Sequence, residues 1–410
     1  MINFYKKSFQ FFFGLLLMIS FGTCVYAQKN NAIEPNKALL KIINQNFADA
    51  DKQYEFLKQH LPENKFPKTY HPKTNEYEFS DSEWWCSGFY PGSLLYMYER
   101  TKNEADYDEA IRIMKVLEKE KNNTSTHDLG FMMYCSFGNA ERIASKPEYK
   151  NILLTSAKSL ISRFNPTVGC IKSWDTKDPS TCLVIIDNMM NLEMLFWASK
   201  ISGDPSFAKI ATTHADTTMK NHFRSDYSSY HVVEYDAQTG AVKKRRTAQG
   251  AADESAWARG QAWGLYGYVV MYRETKDKKY LDEANHIASF ILNNPNFPAD
   301  KIPYWDFNAP SIPNALRDSS AAAIMASALL ELYQYVDVTT AKKYVGVSET
   351  ILKNLSSPNY KATFGTNGGF ILQHGVGHMP AGTEIDVPLT YGDYYFIEAM
   401  LRYQQLGKSK

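Results

Sequence analysis

The chain has 410 residues, of which 44% are hydrophobic and 14% aromatic, and its formal net charge at pH 7 is +1. Near-neutral charge with scattered Lys and Arg argues against nucleic-acid binding, because proteins that bind polyanions concentrate their cations on one face. The aromatic content favours carbohydrate recognition without deciding it, since aromatic rings stack on sugars but also fill cores.

The chain begins with the pattern of a secretory signal peptide. A basic pair precedes an apolar run, Phe11–Ile19, and a small residue, Ala27, stands where cleavage would fall. Residues 1–27 are therefore predicted to be removed. No later stretch is apolar for long enough to span a membrane. We expect residues 28–410 to form a single domain that is exported to the periplasm.

Beyond this leader, apolar segments alternate with amphipathic ones. Tyr96–Lys102 and the following Tyr107–Ala110 closely match Val270–Lys276 and the following Tyr280–Ala284, and weaker copies recur elsewhere. A repeat of this kind indicates stacked helical units. Each copy of the repeat is preceded by a segment rich in small and aromatic residues, and a sixth such segment closes the chain. These six segments begin at Trp85, Asp128, Asp187, Arg259, Asp318 and Tyr391.

The two ends of the repeat complete each other. The last apolar segment has no amphipathic partner after it, whereas an unpaired amphipathic segment, about Asn36–His60, opens the mature chain. Pairing them predicts an all-α (α/α)6 barrel of six inner and six outer helices. The alternative, an open α-solenoid, would need capping ends. Tyr230–Tyr235 and Val242–Thr247 predict a small β-hairpin inserted between the third and fourth helix pairs.

Two aspartates stand in apolar surroundings, where a charge is costly. Asp187 lies within Val184–Leu192, and Asp128 lies within Thr126–Tyr134. Burial of a carboxylate raises its pKa, because the ionised form loses its hydration. A carboxyl group with a raised pKa can act as a general acid near neutral pH. The alternative is that each aspartate caps a helix.

Parallel inner helices would bring their N-terminal ends to one rim of the barrel. Asp128, Asp187, Arg259, Asp318 and Asp393 would then face a common cleft. Helix N-termini offer unpaired N–H groups and partial positive charge, which suits an anionic sugar. This pattern predicts an active site for an acidic carbohydrate, with ordinary helix caps as the alternative.

No metal or cofactor site is predicted. His374 and His378 are flanked by glycines in a predicted loop, and a tetrahedral site would need further ligands. No glycine-rich phosphate loop occurs. Cys170 and Cys182 could close a short disulfide loop in an exported protein, and the sequence leaves that pairing open.

Five motifs carry a family resemblance. They are Trp85–Gly92, His127–Phe131, Ile186–Leu192, Gln249–Trp263 and Tyr391–Tyr395. In order and spacing they resemble glycoside hydrolase family 88, which comprises unsaturated glucuronyl hydrolases. Two positions depart from the family pattern in ways that could alter substrate fit: Ala248 replaces a common histidine, and Tyr90 a common tryptophan.

The resemblance implies an unusual hydrolysis. Polysaccharide lyases leave a uronic acid with a double bond between carbons 4 and 5 at the non-reducing end. Enzymes of this family add water across that vinyl ether, and the hemiketal opens and expels the partner sugar. The expected substrates are unsaturated uronic-acid oligosaccharides derived from chondroitin, hyaluronan or heparin.

The resemblance also implies roles for individual residues. Asp187 is expected to act as the acid and then the base. Asp128 is expected to stay ionised and to orient the sugar or stabilise positive charge. His231 matches a position that assists the water or the acid, although a lone histidine is more often structural. The other expected substrate contacts are hydrogen bonds from Thr247 and Gln249, a fork for carboxylate or sulfate at Arg259, and stacking by Trp85, Trp174, Trp257 and Trp263.

Two other functions fit the same pattern. An unsaturated rhamnogalacturonyl hydrolase would share the barrel and the vinyl-ether chemistry but take a different partner sugar. A non-catalytic exported glycan-binding protein would keep the barrel as a platform. Such a protein would not need both Asp128 and Asp187.

Overall fold

A computed structural model describes residues 33–407, and over this range twelve α-helices alternate between an outer and an inner ring. The outer helices are α1 (Lys37–His60), α3 (Glu104–Leu117), α5 (Pro147–Ile161), α7 (Pro205–His222), α9 (Lys278–Asn293) and α11 (Val338–Leu355). The inner helices are α2 (Phe89–Thr101), α4 (Asn139–Ile143), α6 (Glu193–Ser202), α8 (Ala258–Thr275), α10 (Ser319–Leu332) and α12 (Thr390–Gln404). The predicted (α/α)6 barrel is confirmed.

The predicted signal peptide, residues 1–27, lies outside the described residues. Cleavage and export therefore stay predictions. Between residues 33 and 407, none of the helices combines the length and the apolar character that crossing a membrane requires.

The two rings bury different amounts of surface. Outer helices bury one face, and most begin at a side chain that accepts a hydrogen bond from a backbone N–H of the first turn. Every residue of α10, by contrast, is buried. Small residues allow this, because they let the inner helices approach closely. The capping residues of the outer helices are Asn36, Asn103, Asp204, Asp277 and Asp337.

The barrel closes through α12, which packs between α10 and α2. Glu398 of α12 accepts hydrogen bonds at the barrel centre from Tyr96 of α2 (2.8 Å) and Tyr266 of α8 (2.9 Å), and also from Ser327 of α10. One buried carboxylate therefore ties four inner helices together. This contact set excludes the open solenoid.

The inserted hairpin is part of a larger sheet than predicted. Its strands pair with each other, and a preceding strand in Thr181–Ile185 adds to one side of it. The sequence pattern did not predict this third strand, which includes Val184 and Ile185. Branched side chains favour a strand here. The strands are β1 (Phe66–His71), β2 (Glu76–Ser80), β3 (Phe164–Asn165), β4 (Cys170–Ile171), β5 (Thr181–Ile185), β6 (Val232–Asp236), β7 (Val242–Arg246), β8 (Gly375–His378) and β9 (Thr383–Val387).

Two other local predictions need correction or completion. The segment between His374 and His378 is not a loop, because Gly375–His378 forms β8 and pairs with β9. Cys170 and Cys182 are both buried and both carry free thiols, so no disulfide joins them.

The inner ring is irregular at two of its six positions. A π-helical segment, Gly130–Gly138, precedes α4, and a 3-10 segment, Ile186–Asn191, precedes α6. Asp128 lies just before the first segment and Asp187 lies within the second. Departures from α-helical geometry of this kind often mark functional positions.

Candidate active site

Asp187 lies two residues after the end of β5, in the 3-10 segment that follows the strand. Its side chain is 12% exposed, and its Oδ1 has no hydrogen-bond partner among the described residues. Burial raises the pKa of Asp187 to about 7; Arg259 opposes this shift, and the Asp128 carboxylate adds to it. The group is therefore available in both protonation states near neutral pH.

His231 lies immediately before β6, beside Asp187. Its Nε2 is 3.9 Å from Asp187 Oδ1, and its Nδ1 accepts hydrogen bonds from the backbone N–H groups of Ala248 and Gln249, both at 3.1 Å. Burial lowers the pKa of His231 well below its usual range. The ring is therefore neutral with its proton on Nε2, because Nδ1 is occupied as an acceptor.

Asp128 provides the second carboxylate of the site. Its Oδ2 accepts a hydrogen bond of 2.9 Å from the Thr126 hydroxyl, whose oxygen accepts one of 3.0 Å from the Asp128 backbone N–H. Its side chain is mostly buried, and its charge acts on Asp187. The structure thus places the two carboxylates in one site.

The helix-cap alternative fails for these two aspartates but holds for a third. Neither the π-helical segment nor the 3-10 segment has a side-chain cap, whereas Asp318 caps α10 by accepting from Ser320 N at 3.0 Å. Asp393 is also satisfied structurally, because its two oxygens accept from the backbone N–H groups of Ile371 and Leu372, both at 2.8 Å. Asp128 and Asp187 are left as the candidates for chemistry.

The Arg259 guanidinium is held by protein groups, and its predicted contact with a substrate carboxylate or sulfate stays a prediction. The side chain is 1% exposed and forms an ion pair of 3.0 Å with Asp318. The two terminal nitrogens also donate to the carbonyls of Val376 and Gly377, both at 2.6 Å, and one donates to Gln249 Oε1 at 3.2 Å. Arg259 therefore holds the β8 strand and Gln249 in place.

The four predicted tryptophan platforms separate into two groups. Trp263 is completely buried, with its ring against Phe131 and Tyr395. Trp257 is also buried, with its ring centre 4.5 Å from the His231 ring centre and 4.5 Å from the Arg259 guanidinium carbon. Both rings pack against protein groups, and their stacking on a sugar stays a prediction.

Partly exposed residues line the remaining positions around the site. Trp85 lies 4.9 Å from the Tyr391 ring, and Trp174 meets the His231 ring edge-on at 6.2 Å. Thr247 and Gln249 follow β7 and are also partly exposed. Their roles as substrate contacts stay predictions.

Two further residues take part in the site in ways that the sequence did not indicate. Asp318 was predicted to face the cleft but is the buried partner of Arg259. His127 is completely buried beside Asp128, and only its adjacency in sequence could have indicated a role. Within residues 33–407, no three His, Cys, Asp or Glu side chains cluster as metal ligands.

Comparison with known protein families identifies the family to which this chain belongs. The model of Glycosyl Hydrolase Family 88 matches residues 59–293, a range that contains Asp128, Asp187 and His231. The chain belongs to this family. As a family 88 protein it is a glycoside hydrolase.

Similar proteins agree along most of the length. The unsaturated glucuronyl hydrolase of Formosa agariphila is 46% identical over 347 residues, 84% of this chain and 86% of the relative. The unsaturated chondroitin disaccharide hydrolase of Streptococcus pneumoniae is 31% identical over 376 residues, 90% of this chain and 92% of the relative. A crystal structure of an unsaturated glucuronyl hydrolase specific for heparin superposes with a TM-score of 0.86 at 46% identity, covering 89% of this chain and 97% of that one.

Proposed function

We propose that the protein releases the 4,5-unsaturated uronic acid from the non-reducing end of lyase-generated glycosaminoglycan disaccharides, by hydration of the vinyl ether. The observation that carries the proposal is the pairing of Asp187, with a pKa of about 7, and the neutral ring of His231. Relatives named for unsaturated glucuronyl and chondroitin disaccharide substrates support this substrate class.

Hydration of the vinyl ether proceeds through protonation of C4, addition of water to C5 and opening of the sugar ring. The Asp187 carboxyl gives its proton to C4 of the uronate, and the C4=C5 π electrons form the new C–H bond, leaving positive charge on C5 and the ring oxygen. Water adds to C5 and returns a proton to the Asp187 carboxylate. The C5–ring oxygen bond of this hemiketal then breaks: the C5 hydroxyl loses its proton to become a ketone, and the ring oxygen gains a proton. C1 is now a hemiacetal, whose hydroxyl loses its proton to become an aldehyde while the partner sugar leaves with that proton as an alcohol.

Asp128 and His231 stabilise separate parts of this sequence. The Asp128 carboxylate supplies negative charge where C5 becomes positive, and the Thr126 hydroxyl bond fixes its orientation. His231 Nε2 and Asp187 Oδ1 are 3.9 Å apart, which is too far for a direct hydrogen bond, and both atoms are buried without a partner among the described residues. The His231 Nε2–H group is therefore available to orient the water that adds to C5.

Gln249 is the best-oriented group for the uronate carboxylate. Its Oε1 accepts a hydrogen bond from Arg259 at 3.2 Å, so its amide N–H groups remain for the substrate. The guanidinium behind it adds positive potential without direct contact. This arrangement favours an anionic sugar over a neutral one.

The decisive experiment follows the loss of near-ultraviolet absorbance of unsaturated disaccharides. Products of heparin, chondroitin and hyaluronan lyases are compared with those of a rhamnogalacturonan lyase, using purified wild type, Asp187→Asn and Asp108→Asn. Asp108 is an exposed residue of α3 and serves as the matched control. We expect kcat to fall at least about 1,000-fold in Asp187→Asn and to stay unchanged in the control.

The outcomes separate the candidate functions. Faster turnover of rhamnogalacturonan products would favour the related activity. No absorbance loss with any substrate, together with measurable binding, would favour a glycan-binding protein. Full activity of Asp187→Asn would refute the assigned mechanism.

A further inference from the structure

His127 is a buried histidine that the mechanism above does not use. Its side chain is completely buried, and it directly precedes Asp128. Nε2 lies 3.3 Å from Asp128 Oδ1, and Nδ1 lies 3.3 Å from the Ser173 hydroxyl oxygen. The Asn188 side chain also interacts with the ring. Because the ring is inaccessible, any influence on a substrate must act through these neighbours.

The surroundings of the ring select one tautomer. Burial lowers the pKa of His127, so the ring carries a single proton near neutral pH. An ionised Asp128 oxygen can only accept a hydrogen bond, so the proton belongs on Nε2. Nδ1 is then the acceptor, and it must receive its hydrogen bond from Ser173.

Ser173 is in turn fixed by the strand that leads to the acid. Its hydroxyl oxygen accepts a hydrogen bond of 3.0 Å from Ile185 N, and its backbone N–H donates to Leu183 O at 2.8 Å. The hydroxyl proton is therefore free to point at His127 Nδ1. Ser173 and His127 thus link the end of β5 to Asp128, with the 3.3 Å contact between His127 Nε2 and Asp128 Oδ1 as the last step.

The other carboxylate of the site, Asp187, also has a buried histidine beside it. His231 also receives hydrogen bonds at Nδ1 and directs Nε2 towards an aspartate, Asp187. The polypeptide thus faces each of its two site carboxylates with one buried neutral histidine. The 3.3 Å contact of His127 lacks hydrogen-bond alignment in the free protein, and contacts of this kind commonly tighten when substrate binds.

We infer that His127 and Ser173 form a relay that positions Asp128 for catalysis and couples its orientation to β5, the strand that carries Asp187 into the site. His127 acts as a positioning residue: its Nε2–H holds Asp128 Oδ1 towards C5 of the sugar. The inference rests on the proposed function only for the identity of the sugar.

Kinetics of four variants test the relay. We expect His127→Ala to lower kcat by about 100-fold with KM within about twofold, because a misplaced carboxylate costs transition-state stabilisation rather than binding. His127→Gln should recover part of kcat, since its amide can donate to Asp128. Ser173→Ala should lower kcat by about tenfold. The matched control is His222→Gln, because His222 is equally buried and contacts Val184 O of β5 at 3.3 Å; its kcat should stay within about twofold of wild type.

A spectroscopic measurement on the wild type does not depend on activity or on the stability of variants. Nitrogen-15 NMR of histidine-labelled protein, assigned with the His127→Gln spectrum, should show His127 protonated at Nε2 and unprotonated at Nδ1. Asp128→Asn should shift the Nε2 resonance. A proton on Nδ1, or an equal loss of kcat in His127→Ala and His222→Gln, would overturn the relay. If the wild type failed to hydrolyse any unsaturated disaccharide, the NMR result would still judge the relay separately.

Discussion

At the scale of single residues, the chemistry of the site depends on how burial changes the pKa values of its ionisable side chains. Asp187 gains a pKa of about 7 mainly from burial, and His231 loses its charge for the same reason. These opposite effects give a carboxylic acid and a neutral imidazole at one pH. Two charged groups at this spacing would form an ion pair, which is a poor proton donor to carbon.

The pKa of Asp187 predicts the pH dependence of the reaction. The protonated form is the active one, so kcat/KM should be constant at acidic pH and fall about tenfold per pH unit above a pH of about 7. The sign follows from the acid role, because a rising pH removes the proton that C4 must receive. The measurement is kcat/KM from pH 5 to 9 with a buffer of constant ionic strength. A profile that rose through pH 7 would identify Asp187 as a base in the first step instead.

At the scale of secondary structure elements, the β8–β9 hairpin depends on one buried arginine. Arg259, from α8, is bonded to two successive carbonyls of β8 and to Asp318, the cap of α10. Two inner helices and the hairpin therefore meet at one guanidinium. Its planar fork matches several acceptors at once, which a lysine cannot do.

Arg259→Lys should weaken this junction while keeping the charge. We expect the free energy of unfolding to fall by about 2–4 kcal/mol, because the buried Asp318 and two carbonyls lose hydrogen bonds. KM should rise as Gln249 loses its anchor. Denaturant unfolding and hydrogen exchange of residues 375–387 would report both effects.

A surface pair supplies the comparison. At the surface, the Arg142 guanidinium donates hydrogen bonds to both carboxylate oxygens of Glu99, at 2.9 and 2.6 Å. Arg142→Lys should cost less than about 1 kcal/mol, since solvent screens such pairs. An equal loss of unfolding free energy in Arg259→Lys and Arg142→Lys would contradict the proposed role of Arg259 in joining the two inner helices to the β8–β9 hairpin.

At the scale of the whole molecule, the barrel closes where its two ends meet. The Tyr403 hydroxyl of α12 accepts from Asn36 N, just before α1, at 2.7 Å and donates to Glu349 of α11. The first and last helices are thereby joined, as the unpaired segments of the repeat predicted.

Removal of that hydroxyl should loosen the closure. Tyr403→Phe is expected to lower the free energy of unfolding by about 1–2 kcal/mol, because Asn36 N and Glu349 lose a partner. Thermal unfolding would measure it. Tyr333→Phe is the control, since no hydrogen bond is recorded for its hydroxyl within residues 33–407, and its midpoint should not move.

The whole-molecule features could be predicted from sequence because they repeat. Apolar and amphipathic segments recur six times, and two apolar-flanked aspartates indicate a costly charge. Individual contacts could not be predicted in this way. Trp263 and Arg259 belong to a recognisable motif, yet which face of α8 turns to the core depends on packing with other helices. Strand β5 could not be predicted because its partner, β6, is distant in sequence: Val184 pairs with Val233, 49 residues later.

The free cysteines bear on how the protein is made. Cys86, Cys170 and Cys182 are buried, and burial raises the pKa of each thiol, to about 11 for Cys182. Little reactive thiolate is therefore available for oxidation or exchange. All four cysteines of residues 33–407 are free thiols, so a reducing agent breaks no covalent bond within this part of the fold.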